Sequence, residues 1–307
     1  MKITKKENNM KTQRSFRATL ALASSFLILN SAFLQASTTI DSGNKYAYGA
    51  NIGWMDWTGG SGETANGVVI GAYVCSGYIY SANVGWINLG SGSPTNGIYY
   101  QNLSSNDFGV NQDGLGNLRG YAYGANIGWV NFENTGAPTI DMITGTMSGY
   151  VWSANCGWIS LSNALAYVQT DTISPGALDG SGSGLPIAWE LTYFGTTNIN
   201  PNADPDGDGM SNYEEYLAGT SPVNGNDYLH ITQYGTLPGG TSAILTWASV
   251  ATRFYFIKET LSLNPASWIN NSVGLISSEG LATTSSITDT NAAQRFYRIQ
   301  ALRPLTP

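Results

Sequence analysis

The 307-residue chain has a single histidine, His230. A Ser-His-Asp triad would have to recruit it, and a lone histidine in a strand-like segment is more often a surface or packing residue than a catalyst. Two cysteines, Cys75 and Cys156, present no zinc-binding spacing. Charge is scarce at 11% of residues, and between Ser37 and Thr252 the basic side chains are Lys45 and Arg119. That leaves almost nothing to neutralise a phosphate backbone, so nucleic acid and anionic membrane surfaces are poor partners. Phosphate loops, dinucleotide fingerprints and G-x-S-x-G elbows are missing. Carboxylates that could pair for glycoside hydrolysis are present in Asp56, Glu63, Asp107, Asp113, Glu133 and Asp141, but nothing in the sequence draws two of them together. The expectation is a protein that is not an enzyme.

Basic residues gather at the start. Lys2, Lys5, Lys6, Lys11, Arg14 and Arg17 precede an apolar stretch from Ala18 to Leu34 that runs into Gln35-Ala36-Ser37. This order predicts a secretory signal peptide over 1–36, cleaved after Ala36. A membrane anchor fits less well, because the stretch is short for a span and is interrupted by Ser24, Ser25, Asn30 and Ser31. The mature chain is therefore expected outside the cell or on its surface, with no membrane span. It keeps seven basic and 19 acidic residues, a net charge of −12. With 37 Gly, 18 Tyr and 9 Trp, its composition is that of β-structure with many turns.

Four segments align closely: KYAYGANIGWMDW (45–57), GYIYSANVGWINL (77–89), GYAYGANIGWVNF (120–132) and GYVWSANCGWISL (149–161). Their repeated tryptophans, Trp54, Trp86, Trp129 and Trp158, are 32, 43 and 29 residues apart, so each unit is one supersecondary element with variable loops. Alternation in Tyr78 to Ser81 and again in Trp86 to Leu89, around the turn-like Ala82 to Gly85, predicts a hairpin per unit. A further strand before each hairpin, such as Pro138 to Ile143 or Thr38 to Asp41, makes the expected unit three-stranded. The segment Ala164 to Thr170 could pair with Thr38 to Asp41 and remove two sheet edges. Period two sets Tyr78, Tyr80, Trp86 and Asn88 opposite Ile87 and Leu89. Twelve aromatics thus recur at equivalent places. They could form an exposed ladder that stacks on sugar, but each ring can bury ~150–250 Å², so packing between successive units is the stronger expectation.

An exported setting permits a disulfide between Cys75 and Cys156. Cys156 also holds the place of Ile52, Val84 and Ile127, which suits a small buried hydrophobe equally well.

Beyond a Gly- and Ser-rich linker (173–186) lies Asp204-Pro205-Asp206-Gly207-Asp208-Gly209-Met210-Ser211-Asn212-Tyr213-Glu214-Glu215. This is D-x-D-x-D-G-x5-E at every specified place. Calcium takes six to eight oxygens in a flexible cage, and the spacing offers Asp204, Asp206, Asp208, the Met210 carbonyl, Asn212 directly or through water, and bidentate Glu215. Helices are predicted over Pro186 to Phe194 and Asn212 to Ala218, each followed by glycine. Because Gly195 to Ala203 separates the first helix from the loop, this is not a complete EF-hand. The segment resembles thrombospondin type 3 and dockerin-like calcium repeats of secreted bacterial proteins, a resemblance that implies a calcium-rigidified connector over 187–226. A single loop, where dockerins carry two, argues against a dockerin's partner.

From Asp227 onward, strands are predicted at Tyr228 to Gln233, Ser242 to Ala248, Phe254 to Glu259, Thr283 to Thr288 and Phe296 to Ala301, as in a β-sandwich over 227–307. Arg253-Phe254-Tyr255 echoes Arg295-Phe296-Tyr297. With Leu245-Thr246-Trp247 and Trp268, these stretches resemble a fibronectin type III-like module. The repeats resemble Gly-Tyr-x-x-x-x-Asn-x-Gly-Trp units of large exported bacterial proteins. The whole reading is a mainly β protein: a four-repeat β-domain (37–172), a short helical calcium connector and a sandwich. Its expected role is structural or adhesive, with polysaccharide binding through Trp54, Trp86, Trp129 and Trp158 as the alternative. The expected partner is an extracellular polysaccharide or a surface protein.

Overall fold

Period-two alternation on either side of a fixed Asn-x-Gly turn produces four antiparallel hairpins in the computed structural model, which describes residues 38–60, 67–236, 242–288 and 295–306. The proposed signal peptide (1–36) and Glu63 lie outside the described residues. β1 (Ile40–Gly49) turns into β2 (Gly53–Asp56), and a short β3 (Val69–Ile70) leads to β4 (Cys75–Ser81) and β5 (Gly85–Ser91). β6 (Val110–Gln112) precedes β7 (Leu118–Gly124) and β8 (Gly128–Asn131). β9 (Thr139–Ile140) and β10 (Met147–Ser148) precede β11 (Tyr150–Ser153) and β12 (Gly157–Ser160). The glycine of each turn, Gly53, Gly85, Gly128 and Gly157, has φ of 75, 78, 70 and 77°, a left-handed conformation that explains why this position never changes among the repeats.

The hairpins lie side by side, and β12 returns to β1, with Tyr48 opposite Ser160 and Gly49 opposite Ile159. Equivalent residues meet at the other junctions: Asp56 with Tyr80, Asn88 with Tyr123, and Asn131 with Trp152. Eight strands therefore close into a ring without a free edge. β13 (Val168–Thr170) pairs with β1, placing Thr170 opposite Ile40, so the pairing anticipated for Ala164 to Thr170 forms over its last three residues, whereas the ring itself is closed by β12 on β1. β3 with β4, β6 with β7, and β9 with β10 are the corresponding short pairs in the other units. In the first unit the extra strand is β13, from the far end of the domain. Residues from Ile40 on are already part of β1 rather than a strand of their own.

The inward face carries Ala47, Met55, Trp57, Ile79, Ile87, Leu89, Ala122, Val130, Phe132, Val151, Ile159 and Leu161, all members of one buried cluster. Ile52, Val84, Ile127 and Cys156 join it from the hairpin turns. There a second fourfold device locks neighbours together. Asn83 Nδ2 donates to the Ile52 carbonyl at 2.9 Å, Asn126 to Val84 at 3.1 Å, Asn155 to Ile127 at 3.0 Å and Asn51 to Cys156 at 3.0 Å. The repeated Asn thus bonds the preceding unit, and Asn51 completes the circle. Asn83→Ala should cost about 1 kcal/mol by leaving the Ile52 carbonyl without its donor, measurable as a lower midpoint in urea with an unchanged m-value.

Downstream, α1 (Ile187–Phe194) ends on Gly195 at φ 67°, and α2 (Asn212–Ala218) ends on Gly219 at φ 80°. Ser211 and Glu214 form a reciprocal capping box at the start of α2. Six strands follow: β14 (Ile231–Thr236), β15 (Ser242–Ala248), β16 (Phe254–Thr260), β17 (Ile269–Ser277), β18 (Ala282–Thr288) and β19 (Phe296–Leu302). They form two three-stranded antiparallel sheets, β14-β15-β18 and β17-β16-β19. Leu245 and Trp247 of one sheet share a buried cluster with Tyr255, Ile257 and Ala301 of the other. β17 is the strand that the sequence pattern does not reveal. It is an edge strand, and its polar run Asn270-Asn271-Ser272 and Gly274 read as loop.

The described residues, from Thr38 on, form one compact unit. Leu305 packs against the barrel core, its carbonyl accepting from Ile173 N at 2.6 Å. Among the described residues, no helix is long and apolar enough to cross a membrane.

Candidate functional site

The side chains facing outward from the ring are aromatic. Trp54, Trp86, Trp129 and Trp158 are 45, 39, 47 and 47% exposed. Tyr46, Tyr48, Tyr78, Tyr80, Tyr123, Tyr150 and Trp152 are exposed as well, and Tyr121 is half-buried. Packing of these rings between successive units is therefore not what the structure has. Closure explains why. Each unit contributes its other face, such as Ile87 and Leu89, to a shared interior, so the aromatic face is not needed as an interface between stacked units.

Within the belt, each indole is braced by tyrosines of its own hairpin. Trp54 lies 6.2 Å from Tyr46 and 4.8 Å from Tyr48, Trp86 6.0 Å from Tyr78 and 5.0 Å from Tyr80, and Trp129 6.2 Å from Tyr121 and 5.0 Å from Tyr123. Trp158 keeps the 6.2 Å contact to Tyr150. These tilted and edge contacts hold the rings in place while leaving part of each surface open.

Polar groups alternate with the rings. Asp56 pairs with Lys45 at 2.8 Å, while Asn88 and Asn131 accept from Gly90 N and Glu133 N. Between the third and fourth hairpins a cavity of about 280 Å³ is lined by Asn131, Glu133, Thr135, Gly136, Trp152 and Trp158. A Cβ on Gly136 would collide with the Tyr150 carbonyl and come within 3.1 Å of the Trp158 ring, so glycine lets the chain approach that closely. Glu133 stands where the other repeats have Thr58, Gly90 and Ser162. That departure from the alignment is the sequence signal that could have marked this cavity.

The other candidate carboxylates close turns. Asp107 accepts from Thr95 N, Thr95 Oγ1 and Gln101 N; Asp113 accepts from Leu115 N and Asn117 N; Asp141 accepts from Ile143 N. His230 stacks on Tyr228 at 4.1 Å, with Nδ1 2.8 Å from the Tyr228 carbonyl. Cys75 and Cys156 are both free, buried thiols, so the structure has no bond between them. Cys75 lies in β4, and Cys156 fills the apolar turn position held elsewhere by Ile52, Val84 and Ile127. Burial pushes the Cys75 thiol up to about 12.

The acidic loop is the second candidate. Asp204, Asp206 and Asp208 offer carboxylate oxygens within 4.8 Å of one another. Beside them Asn212 and Glu215, on the first turns of α2, are fully buried. Asp206 Oδ2, Asp208 Oδ2, Asn212 Oδ1 and Glu215 Oε2 are all buried without a hydrogen-bond partner. Four orphaned oxygens in one loop would be costly unless a cation is among them. Asn200 fixes the Asn212 amide by accepting from its Nδ2 at 2.8 Å. Gly207 and Gly209, at φ 79 and 96°, bend the loop so that their N–H groups bond Asp204. Burial, and then the charges of Asp206 and Asp208, push Glu215 up to about 8. Burial also raises Asp208, despite its bond from Met210 N. Met210 ties the loop to the C-terminal sheets, its Sδ accepting from Leu229 N at 3.2 Å. An all-oxygen, acidic, flexible donor set of this kind fits a hard divalent cation.

No family model, curated protein or solved structure matches the chain.

Proposed function

We propose that this is an exported, non-catalytic adhesive protein that binds polysaccharide through the outer aromatic belt of its barrel, with calcium holding the connector. The observation that carries the reading is the half-exposed Trp54, Trp86, Trp129 and Trp158, each braced by tyrosine. Contiguous exposed apolar surface rimmed by polar groups marks an interaction site. Sugar rings present apolar C–H faces that suit an indole, and hydroxyl edges that suit the amides of Asn88 and Asn131 and the carboxylate of Glu133. Four equivalent positions around the ring would let one long chain, or several, engage more than one site and gain avidity. Calcium on Asp204, Asp206, Asp208, the Met210 carbonyl, Asn212 and Glu215 would satisfy the orphaned oxygens and fix α2.

Tryptophan fluorescence of residues 37–307, titrated with soluble plant, algal and bacterial polysaccharides in calcium, should shift for at least one of them. The same titration on Trp129→Ala, which removes one belt ring, should need several-fold more polysaccharide. Should no polysaccharide shift the spectrum while the protein self-associates in a concentration-dependent way, the belt is an interface between protein chains, and the structural role replaces the glycan-binding one.

A further inference from the structure

A cleft of about 320 Å³ opens where the barrel, the connector helices and the C-terminal sheets meet. Its walls include Tyr73, Tyr99, Trp189 and Tyr216, and two of the few arginines in this acidic chain, Arg253 and Arg303, converge on it. Arg253 is held firmly: Nε donates to the Leu217 carbonyl at 2.8 Å, and Nη1 donates to Thr252 Oγ1 at 2.8 Å. Its Nη2 makes no hydrogen bond among the described residues. Arg303 stacks its guanidinium 4.4 Å over the Tyr216 ring. The ion pairs among the described residues are Lys45 with Asp56 and Arg295 with Glu259, so neither cleft arginine has a carboxylate partner. Asp113, the acidic residue of the lining, spends both oxygens on Asn117 and Leu115.

Two adjacent guanidinium groups repel one another, and Arg253 loses much of its hydration where it sits. Chains that fix such a pair without a counter-charge leave a place for an anion to supply it. Planar guanidinium donors suit carboxylate and sulfate oxygens, and aromatic walls suit the ring that carries them.

We propose that this cleft is an anion-binding site for a carboxylate or sulfate group carried on a sugar ring, held by Arg253 and Arg303. It is separate from the aromatic belt, so either site can fail without the other.

The test uses the mature chain, residues 37–307, in isothermal titrations with a galacturonate trimer, a sulfated galactose trimer and the neutral galactose trimer. One or both anionic trimers should bind in a salt-sensitive manner, and which one binds names the group. Arg303→Met keeps the packing on Tyr216 but removes the charge, and should weaken binding about tenfold or more. Arg253→Lys, which keeps the charge but loses the planar donors, should weaken it as well. Leu103→Ala, at an exposed side chain that lines neither this cleft nor the belt, should leave it unchanged. Equal affinity for the neutral trimer, equal affinity in Arg303→Met, or no binding of either anionic trimer by a folded protein would overturn the proposal.

Discussion

Chelating calcium from a protein comprising residues 37–307 should lower its melting temperature by about 5–10 °C and expose the connector to proteases. A ligand present at about 100 times its Kd adds ~2.7 kcal/mol to the folded state, and each kcal/mol is worth roughly 2–4 °C in a chain of this size. The pH response should reverse with the metal. Without calcium, Glu215 is raised in the folded state to about 8 from an ordinary 4.5. A carboxyl raised by folding stabilises most below its unfolded value, and that stability is lost as pH rises through its folded value. The chelated protein should therefore become more stable by about 3 kcal/mol on going from pH 8 to pH 5. The calcium-loaded protein should become less stable over the same range, because protons compete with the ion for the carboxylates. Glu215→Gln should flatten the metal-free profile and weaken the response to calcium. Scanning calorimetry across this range, with and without chelator, reads all three effects. Identical curves in calcium and in chelator would remove the ion from the account.

Two tryptophans three residues apart should behave in opposite ways. Trp57 is 1% exposed and packs edge-on against Phe132 at 6.5 Å inside the barrel. Trp57→Ala should cost about 3–5 kcal/mol through lost burial and the cavity left behind. Trp54 points outward from the same hairpin, 45% exposed. Trp54→Ala should stay within about 1 kcal/mol of wild type and act on polysaccharide binding instead. Urea denaturation of both variants separates the roles. Comparable destabilisation would mean that the belt is structural.

Local features were readable from the residues. Hairpin turns follow from Asn-x-Gly, helix ends from Gly195 and Gly219, and the acidic loop from its spacing. Alternation separates two faces of each repeat, but it does not say which face is inside. The size of Tyr and Trp side chains favours burying the aromatic face, and the outcome depended on a non-local event, the return of β12 to β1. Once the ring closes, the smaller Ile, Val, Leu and Met side chains, with Trp57 and Phe132, fill its interior and the larger face is left outside. β17 stayed hidden for a related reason: its place in a sheet depends on pairing with β16, not on an apolar pattern of its own. The Arg253–Arg303 cleft joins residues from three parts of the chain and has no linear signature. In the acidic loop, sequence spacing names the candidate ligands, whereas the orphaned oxygens become visible only when α2 buries Asn212 and Glu215.

The most direct test of the central claim is affinity electrophoresis in calcium, through gels containing single polysaccharides, of wild-type residues 37–307 beside a variant with Trp54, Trp86, Trp129 and Trp158 all changed to alanine. The belt reading predicts that at least one polysaccharide retards the wild type, and that the folded fourfold variant runs as it does in a plain gel. Equal retardation of both proteins, or of neither, would contradict it.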